Sequence, residues 1–198
     1  VIHRSVPGFV VQGGGFSYTD TGATPLVAIP QRPRVVNEPV YSSVRGTIAM
    51  AKLGSDANSA TNQWFFNLGN NSANLDRQNG GFTVFGQVTG NGMAIIDAIA
   101  ALSRFNVDNG VFGELPLRNY TTTDLANKVP LTSTHFVLIQ NIVVLNADPD
   151  TAASLNPTKN TLINEKEKSG GGSGSTGLIS LLMLSLLALG RKRLLNRA

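Results

Sequence analysis

Between Val1 and Phe16 the chain reads VIHRSVPGFVVQGGGF, and this span restricts the fold more than any other. Pro7-Gly8 marks a turn that leads into an apolar strand-like run, Phe9 to Gln12. In a period-two strand Phe9 and Val11 face one side while Val10 and Gln12 face the other. One face is then core and the other a shallow surface carrying an amide. Gly13, Gly14 and Gly15 let the backbone turn with positive φ or approach another segment closely. A cation, Arg4, lies in the same span.

Composition limits what such a span can serve. With 198 residues and 41% hydrophobic content the chain can bury one sizeable core and carry an appendage. The formal charge of +4 is local: Arg191, Lys192, Arg193 and Arg197 supply four of the 16 Lys and Arg, leaving 12 against 12 Asp and Glu. A neutral body has no electrostatic footprint for nucleic acid, so no nucleic-acid partner is expected. Zero cysteines exclude disulfides, thiol catalysis and thiolate metal sites, and two histidines make a histidine-rich metal site a poor reading. Neither metal nor cofactor is called for.

Along the chain, residues 17–43 hold Pro25, Pro30, Pro33 and Pro39 and read as a long surface loop. Residues 45–50 and 63–68 read as strands, the second rich in Trp64, Phe65 and Phe66, with a Ser, Asp and Asn loop between them. Met93, Ile95, Ile96, Ile99 and Leu102 pattern a helix over 91–102. His135 to Leu145, HFVLIQNIVVL, is expected to be the last strand. The domain is thus placed at 1–148, followed by a flexible polar linker at 149–177 and a short hydrophobic helix with a basic end at 178–198.

Five blocks in order carry a resemblance: His3-Arg4 with Pro7-Gly8-Phe9 and Gln12-Gly13-Gly14; Gly46 to Ala51 (GTIAMA); Gln63-Trp64-Phe65; Leu75-Asp76; and Val84 to Val88 (VFGQV). Together they resemble the cyclophilin family of peptidyl-prolyl cis-trans isomerases. That resemblance implies a mainly β fold, an antiparallel barrel with a flanking helix. Because the chain opens at Val1 inside the family pattern, the expected barrel lacks its N-terminal strands and first helix. It also implies a catalytic Arg4 and a substrate groove made by Phe9, Gln12, Met50, Ala51, Gln63, Phe65, Leu75 and Phe82. Phe9, Phe65 and Leu75 would line the proline pocket, and Gln12 and Gln63 would bind peptide backbone. The chain departs from the family at Asn74, where many eukaryotic members have tryptophan, at Phe82, where they have histidine, and at Lys52 and Leu53. These changes bear on groove walls and inhibitor binding more than on Arg4. His3, His135 and Trp64 read as structural.

The expected substrates are polypeptides containing X-Pro, the expected reaction isomerisation of that bond, and the alternative a non-catalytic peptide-binding or scaffold domain of the same fold. Arg4 suits the reaction because its guanidinium is planar, charged and rich in donors. The C-terminal end, GGGSGSTG followed by LISLLMLSLLAL and then Arg191-Lys192-Arg193, resembles glycine-rich sorting tails of Gram-negative bacteria. This implies a rhomboid-type processing protease as partner and transient anchoring in the inner membrane. The isomerase would then sit in the cell envelope, on the periplasmic or cell-surface side, and act on exported proteins.

Overall fold

Pro7 and Gly8 fold β1 (Ile2–Val6) back onto β2 (Val10–Gly13) as an antiparallel hairpin. The Phe9 N–H donates to the Val6 carbonyl at 3.0 Å and Gly8 takes φ +70°, as a Pro-Gly type II turn requires. Phe9 itself lies in this turn rather than in β2, so it does not share a face with Val11 as strict alternation predicts. It packs instead with Val10, on the other side of the sheet. The structure is a computed structural model and describes residues 1–21, 25–148 and 154–165.

β3 (Phe16–Tyr18) and β4 (Leu26–Ala28) form a separate two-stranded ladder at the start of the Pro-rich loop. β5 (Thr47–Met50), β6 (Trp64–Asn67) and β7 (Val84–Gln87) then join the hairpin in a five-stranded antiparallel sheet, ordered β1-β2-β6-β5-β7. Short helices α1 (Ser72–Leu75), α2 (Gly92–Ala100) and α3 (Thr122–Ala126), a single 3-10 turn at Gln78–Gly80, and the two-residue strands β8 (Arg104–Phe105) and β9 (Leu115–Pro116) complete the described elements. The fold is therefore mainly β and antiparallel, with a flanking helix. Among the described residues the sheet stays open, with β1 and β7 at its edges. Backbone from later in the chain covers part of β1: Ile2 N–H donates to Val137 O at 3.0 Å and Ser5 N–H to Glu114 O at 2.9 Å.

Both faces of the sheet are buried, where the sequence predicts one shallow polar face. On one side Ile2, Val11 and Leu68 pack with Ile96 of α2, and with Trp64, Phe66, Met93 and Ile99 around them. The periodicity of α2 is obeyed, since Met93, Ile96 and Ile99 point inward while Ile95 is exposed. On the other side lies the cluster Val10, Ala49, Ala51, Phe65, Leu75, Phe82 and Val84. A third cluster, Phe105, Leu115, Leu117, Tyr120 and Phe136, sits around β8 and β9. There Thr121 and Asp124 make a reciprocal capping box that starts α3.

Two expectations from composition need correction. The HFVLIQNIVVL segment forms only an isolated bridge, Leu117 to Phe136, and its end is exposed, Leu145 by 95%. Its apolar residues fit a strand, but a strand exists only where a neighbour supplies backbone partners, and none among the described residues does so for 138–145. The expected flexible linker at 149–177 behaves differently over 154–165, which is docked. Ser42 N–H donates to Thr158 O at 2.9 Å, Asn160 N–H to Val40 O at 3.0 Å, and Arg77 pairs with Glu165 at 2.7 Å. Backbone bonds and an ion pair hold this strap, and hydropathy does not register either. The hydrophobic and basic segment at 178–198 lies outside the described residues.

Asp76, at the C-terminal end of α1, ties the loop regions together. One carboxylate oxygen accepts from Ser42 Oγ at 2.5 Å and the other from Ser43 N–H at 2.8 Å, while its carbonyl accepts from Asn160 Nδ2 at 3.0 Å. It is fully buried, so removing the carboxylate leaves two donors without a charged acceptor. Asp76→Ala is expected to lower the unfolding free energy by about 3 kcal/mol, measured by urea denaturation; a variant as stable as wild type would show that these bonds contribute nothing net.

Candidate functional site

Directly opposed residues of neighbouring strands share a face. Following the register across the sheet, Arg4 on β1 opposes Gln12 on β2, Gln12 opposes Phe65 on β6, Phe65 opposes Ala49 on β5, and Ala49 opposes Val84 on β7. One row of side chains thus runs from a guanidinium through an amide to an aromatic and two aliphatic residues. Gln63 lies two residues from Phe65 and therefore on the same face.

Arg4 is 3% exposed. Its Nε donates to Glu114 Oε2 at 2.9 Å, whereas Nη1 and Nη2 are buried and have no hydrogen-bond partner among the described residues. Burial pushes the guanidinium pKa below its ordinary value, and the charge and hydrogen bond of Glu114 oppose that shift. Arginine remains protonated under such a shift, so the row ends in a buried, fixed cation whose two Nη nitrogens are uncommitted among the described residues. Gln12 Nε2 donates to Gln63 Oε1 at 2.8 Å, and Gln12 Oε1 is buried without a partner among the described residues.

Beside this polar end the apolar cluster forms a wall of fixed geometry. The Phe82 ring stands edge-on to Phe65 with centroids 5.7 Å apart and planes at 78°, a favoured aromatic arrangement. Leu75 from α1 and Ala51 beyond β5 complete it, with Phe9 and Tyr41 packed against it. The sheet face thus brings together Arg4, Phe9, Gln12, Ala51, Gln63, Phe65, Leu75 and Phe82. Met50 does not join them: it pairs with Trp64 and so falls on the opposite face, because it is one residue from Ala49 and Ala51 in a period-two strand. Trp64 is on that opposite face too, half-buried over Ile2 and edge-on to Phe66, a structural position as its sequence setting predicts.

His3 is buried against the Phe16 ring, centroids 5.1 Å apart. Burial, then the neighbouring positive charges, pushes its pKa down to about 3, so it is neutral at pH 7 and contributes packing rather than charge.

Sequence reasoning misses two groups. Glu114 lies 110 residues from Arg4 and has no motif around it; only the long-range fold reveals the pairing. Lys52 is visible in sequence as a departure after Met50-Ala51, but not the turn it grips. Gly14, by contrast, is visible in the glycine run: it takes φ +84°, and a Cβ there would come within 2.4 Å of the Asn62 carbonyl oxygen.

A cationic donor pair beside an aromatic and aliphatic wall, with two amides between them, suits a peptide carrying an apolar ring next to an amide bond. The model for "Cyclophilin type peptidyl-prolyl cis-trans isomerase/CLD" matches residues 1–124. The chain is 37% identical over 114 residues to a peptidyl-prolyl cis-trans isomerase of Acinetobacter baylyi, covering 57% of this chain and 55% of that protein. It is 40% identical over 111 residues to peptidyl-prolyl cis-trans isomerase A of Dickeya dadantii, covering 54% of each. The chain spans about half the length of these curated relatives. With the family model matching more than half of its residues and the matched span carrying the whole Arg4 to Val84 row, the chain belongs to the cyclophilin-type peptidyl-prolyl cis-trans isomerase family.

Proposed function

We propose that the chain binds polypeptides at X-Pro and accelerates the cis-trans isomerisation of that bond, in exported proteins. The observation that carries this reading is the pair of buried Arg4 Nη donors, unpartnered among the described residues, beside the Phe65, Phe82 and Leu75 wall. An amide rotates over a barrier of ~18–20 kcal/mol because resonance gives its C–N bond partial double-bond character. Reaching about a thousand turnovers per second from an uncatalysed time of tens of seconds requires lowering the barrier by roughly 6 kcal/mol. No bond is made or broken, so no nucleophile is needed. A donor aimed at the prolyl nitrogen favours the twisted state, in which that nitrogen is pyramidal and basic, over the planar ground state. The apolar wall would hold the ring, and Gln12 and Gln63 the flanking backbone.

A second reading, a peptide-binding domain with little turnover, is favoured by the depth of Arg4 and by the engagement of its Nε with Glu114. Turnover decides between them. Arg4→Ala is expected to reduce turnover of an X-Pro peptide by two to three decades, roughly 3–4 kcal/mol, the scale of one transition-state donor, with a much smaller change in peptide affinity. Equal rates for variant and wild type in a protease-coupled isomerisation assay would remove Arg4 from the mechanism and favour the binding domain.

Glu114 is expected to matter through Arg4. Its side chain is 24% exposed, so Glu114→Ala should cost about 2–3 kcal/mol of stability, less than the loss of a partner in a fully buried pair. Thermal denaturation that is unchanged by Glu114→Ala would mean that water already solvates the guanidinium.

The glycine run at 170–177, the apolar segment at 178–189 and the basic end support delivery to the bacterial envelope, with a rhomboid-type protease cleaving near the glycines. Twelve apolar-dominated residues rise about 18 Å as a helix against a hydrocarbon core of about 30 Å, which favours transient over permanent anchoring. Intact mass of the protein recovered from its native envelope tests this: the expected C-terminus falls within the glycine run, and a chain ending at Ala198 overturns cleavage.

A further inference from the structure

Lys52 is 4% exposed, an unusual position for an ammonium group. Its Nζ donates to the carbonyl of Asn79 at 2.6 Å and to the carbonyl of Gly81, and stands 4.7 Å from the centroid of the Phe82 ring. These contacts converge on one turn. Asn79, Gly80 and Gly81 take φ of 47°, 74° and 70° in succession, a left-handed run that glycine tolerates and other residues rarely adopt. The run is open to only a few sequences, and a Cβ at Gly81 would come within 2.7 Å of Pro39 Cβ.

The turn has a second anchor, of a different kind. Asn37 Nδ2 donates to Gly80 O at 2.8 Å and to Gly81 O at 3.1 Å, while Thr83 Oγ1 donates to Asn37 Oδ1 at 2.9 Å. Asn37 therefore grips the turn from the Pro-rich loop and Lys52 from the segment just beyond β5. Phe82 follows directly and carries the edge-on contact to Phe65. From these contacts we infer that Lys52 is a positioning residue: its ammonium holds the 79–81 turn and the Phe82 ring so that the wall beside Phe65 is preformed for a proline ring. This rests on the reading of that wall as the proline site. Lys52 touches no reacting atom, and its effect passes through Phe82.

An exposed lysine near a groove would act as a surface charge, whereas this one gives its donors to backbone carbonyls and its face to an aromatic ring. The charged neighbours fit that role. Asp56 faces Lys52 and is itself paired with Arg34 at 2.6 Å, and Arg77 at the foot of the turn is paired with Glu165. Burial pushes the Lys52 pKa down to about 8, with Asp56 opposing. The ammonium form therefore still predominates at pH 7. Because the ordinary value is 10.5, the unfolded chain holds this proton more tightly than the folded one. The Lys52 contribution to stability is then smallest below pH 8 and rises as pH increases toward 10.5.

The test uses the 198-residue protein, with peptide affinity and turnover measured separately. A short Ala-Pro peptide is titrated into wild type, Lys52→Met and Lys52→Arg at pH 7, and the Phe82 ring resonances are followed by NMR. The expected result is about tenfold weaker binding by Lys52→Met, with broadened or shifted Phe82 signals, and recovery of both in Lys52→Arg, whose guanidinium can also reach two carbonyls. Unchanged affinity in Lys52→Met, or weakened affinity that Lys52→Arg fails to recover, overturns the inference. Should Lys52→Met not fold, Lys52→Gln replaces it, keeping an N–H donor but no charge, and the same outcomes apply. A wild type that binds the peptide but shows no turnover overturns the isomerase reading and leaves the positioning role standing. A wild type that does not bind it overturns both. Stability provides an independent check: wild type should gain on Lys52→Met between about pH 8 and 10, and a constant difference contradicts the buried ammonium.

Discussion

The register of one antiparallel sheet is the constraint on which the site depends. Arg4, Gln12, Phe65, Ala49 and Val84 come from five strands, most of them separated by long loops, and they meet only because each strand pairs with its neighbour in one register. A slip of one residue in any strand would send its whole inward set to the other face. β2 alone would exchange Gln12 and Val10 for Val11, and β6 would exchange Phe65 for Trp64 and Phe66. Burial on both faces is what makes that slip costly, since both sets are apolar or hydrogen-bonded and neither can be traded for the other. The tight Pro7-Gly8 turn fixes the first pairing, and the close packing of Gly13 and Gly14 against Trp64 and Asn62 fixes the next.

How much of this is legible in the sequence follows from the same physics. Local chemistry is written plainly: the Pro-Gly turn, the strands at 10–13, 47–50 and 64–67, and the helix at 92–100 can each be read from a few adjacent residues. Of the nine site residues that the family motifs point to, Arg4 and the eight of the groove, eight lie on one face. Met50 is the ninth, and simple alternation from Ala51 already puts it on the other side. What is not legible is nonlocal. No window of sequence links Arg4 to Glu114, and no hydropathy scale finds the 154–165 strap, which is held by backbone bonds to residues 40–42. The apolar run at 138–145 is the converse case, a strand by composition that lacks a partner among the described residues, so that Ile142, Val143 and Val144 stay exposed.

Two buried cations show how the fold divides its electrostatic roles. Arg4 and Lys52 each lose hydration, and an isolated buried charge is costly, so each must find compensation. Arg4 gains a carboxylate through Nε and keeps the two Nη donors uncommitted among the described residues. A guanidinium allows this division because its donors are spread over three nitrogens in a rigid plane, so one edge can be anchored while the other faces a ligand. Lys52 makes no ion pair among the described residues but commits its single nitrogen to two carbonyls and the Phe82 ring. An ammonium has one nitrogen and cannot be anchored at one edge while presenting another. Residue type thus follows role, since the arginine is held still with donors to spare while the lysine is consumed in holding something else still. The two halves of the wall differ in the same way. Phe65 is fixed by the sheet, but Phe82 rides on a left-handed turn with little regular structure beneath it, and a ring on such a turn can hold a substrate in one place only if the carbonyls beneath it are tied down. Lys52 and Asn37 supply those ties from two segments, one of them carried by the same register that aligns Arg4 with Phe65.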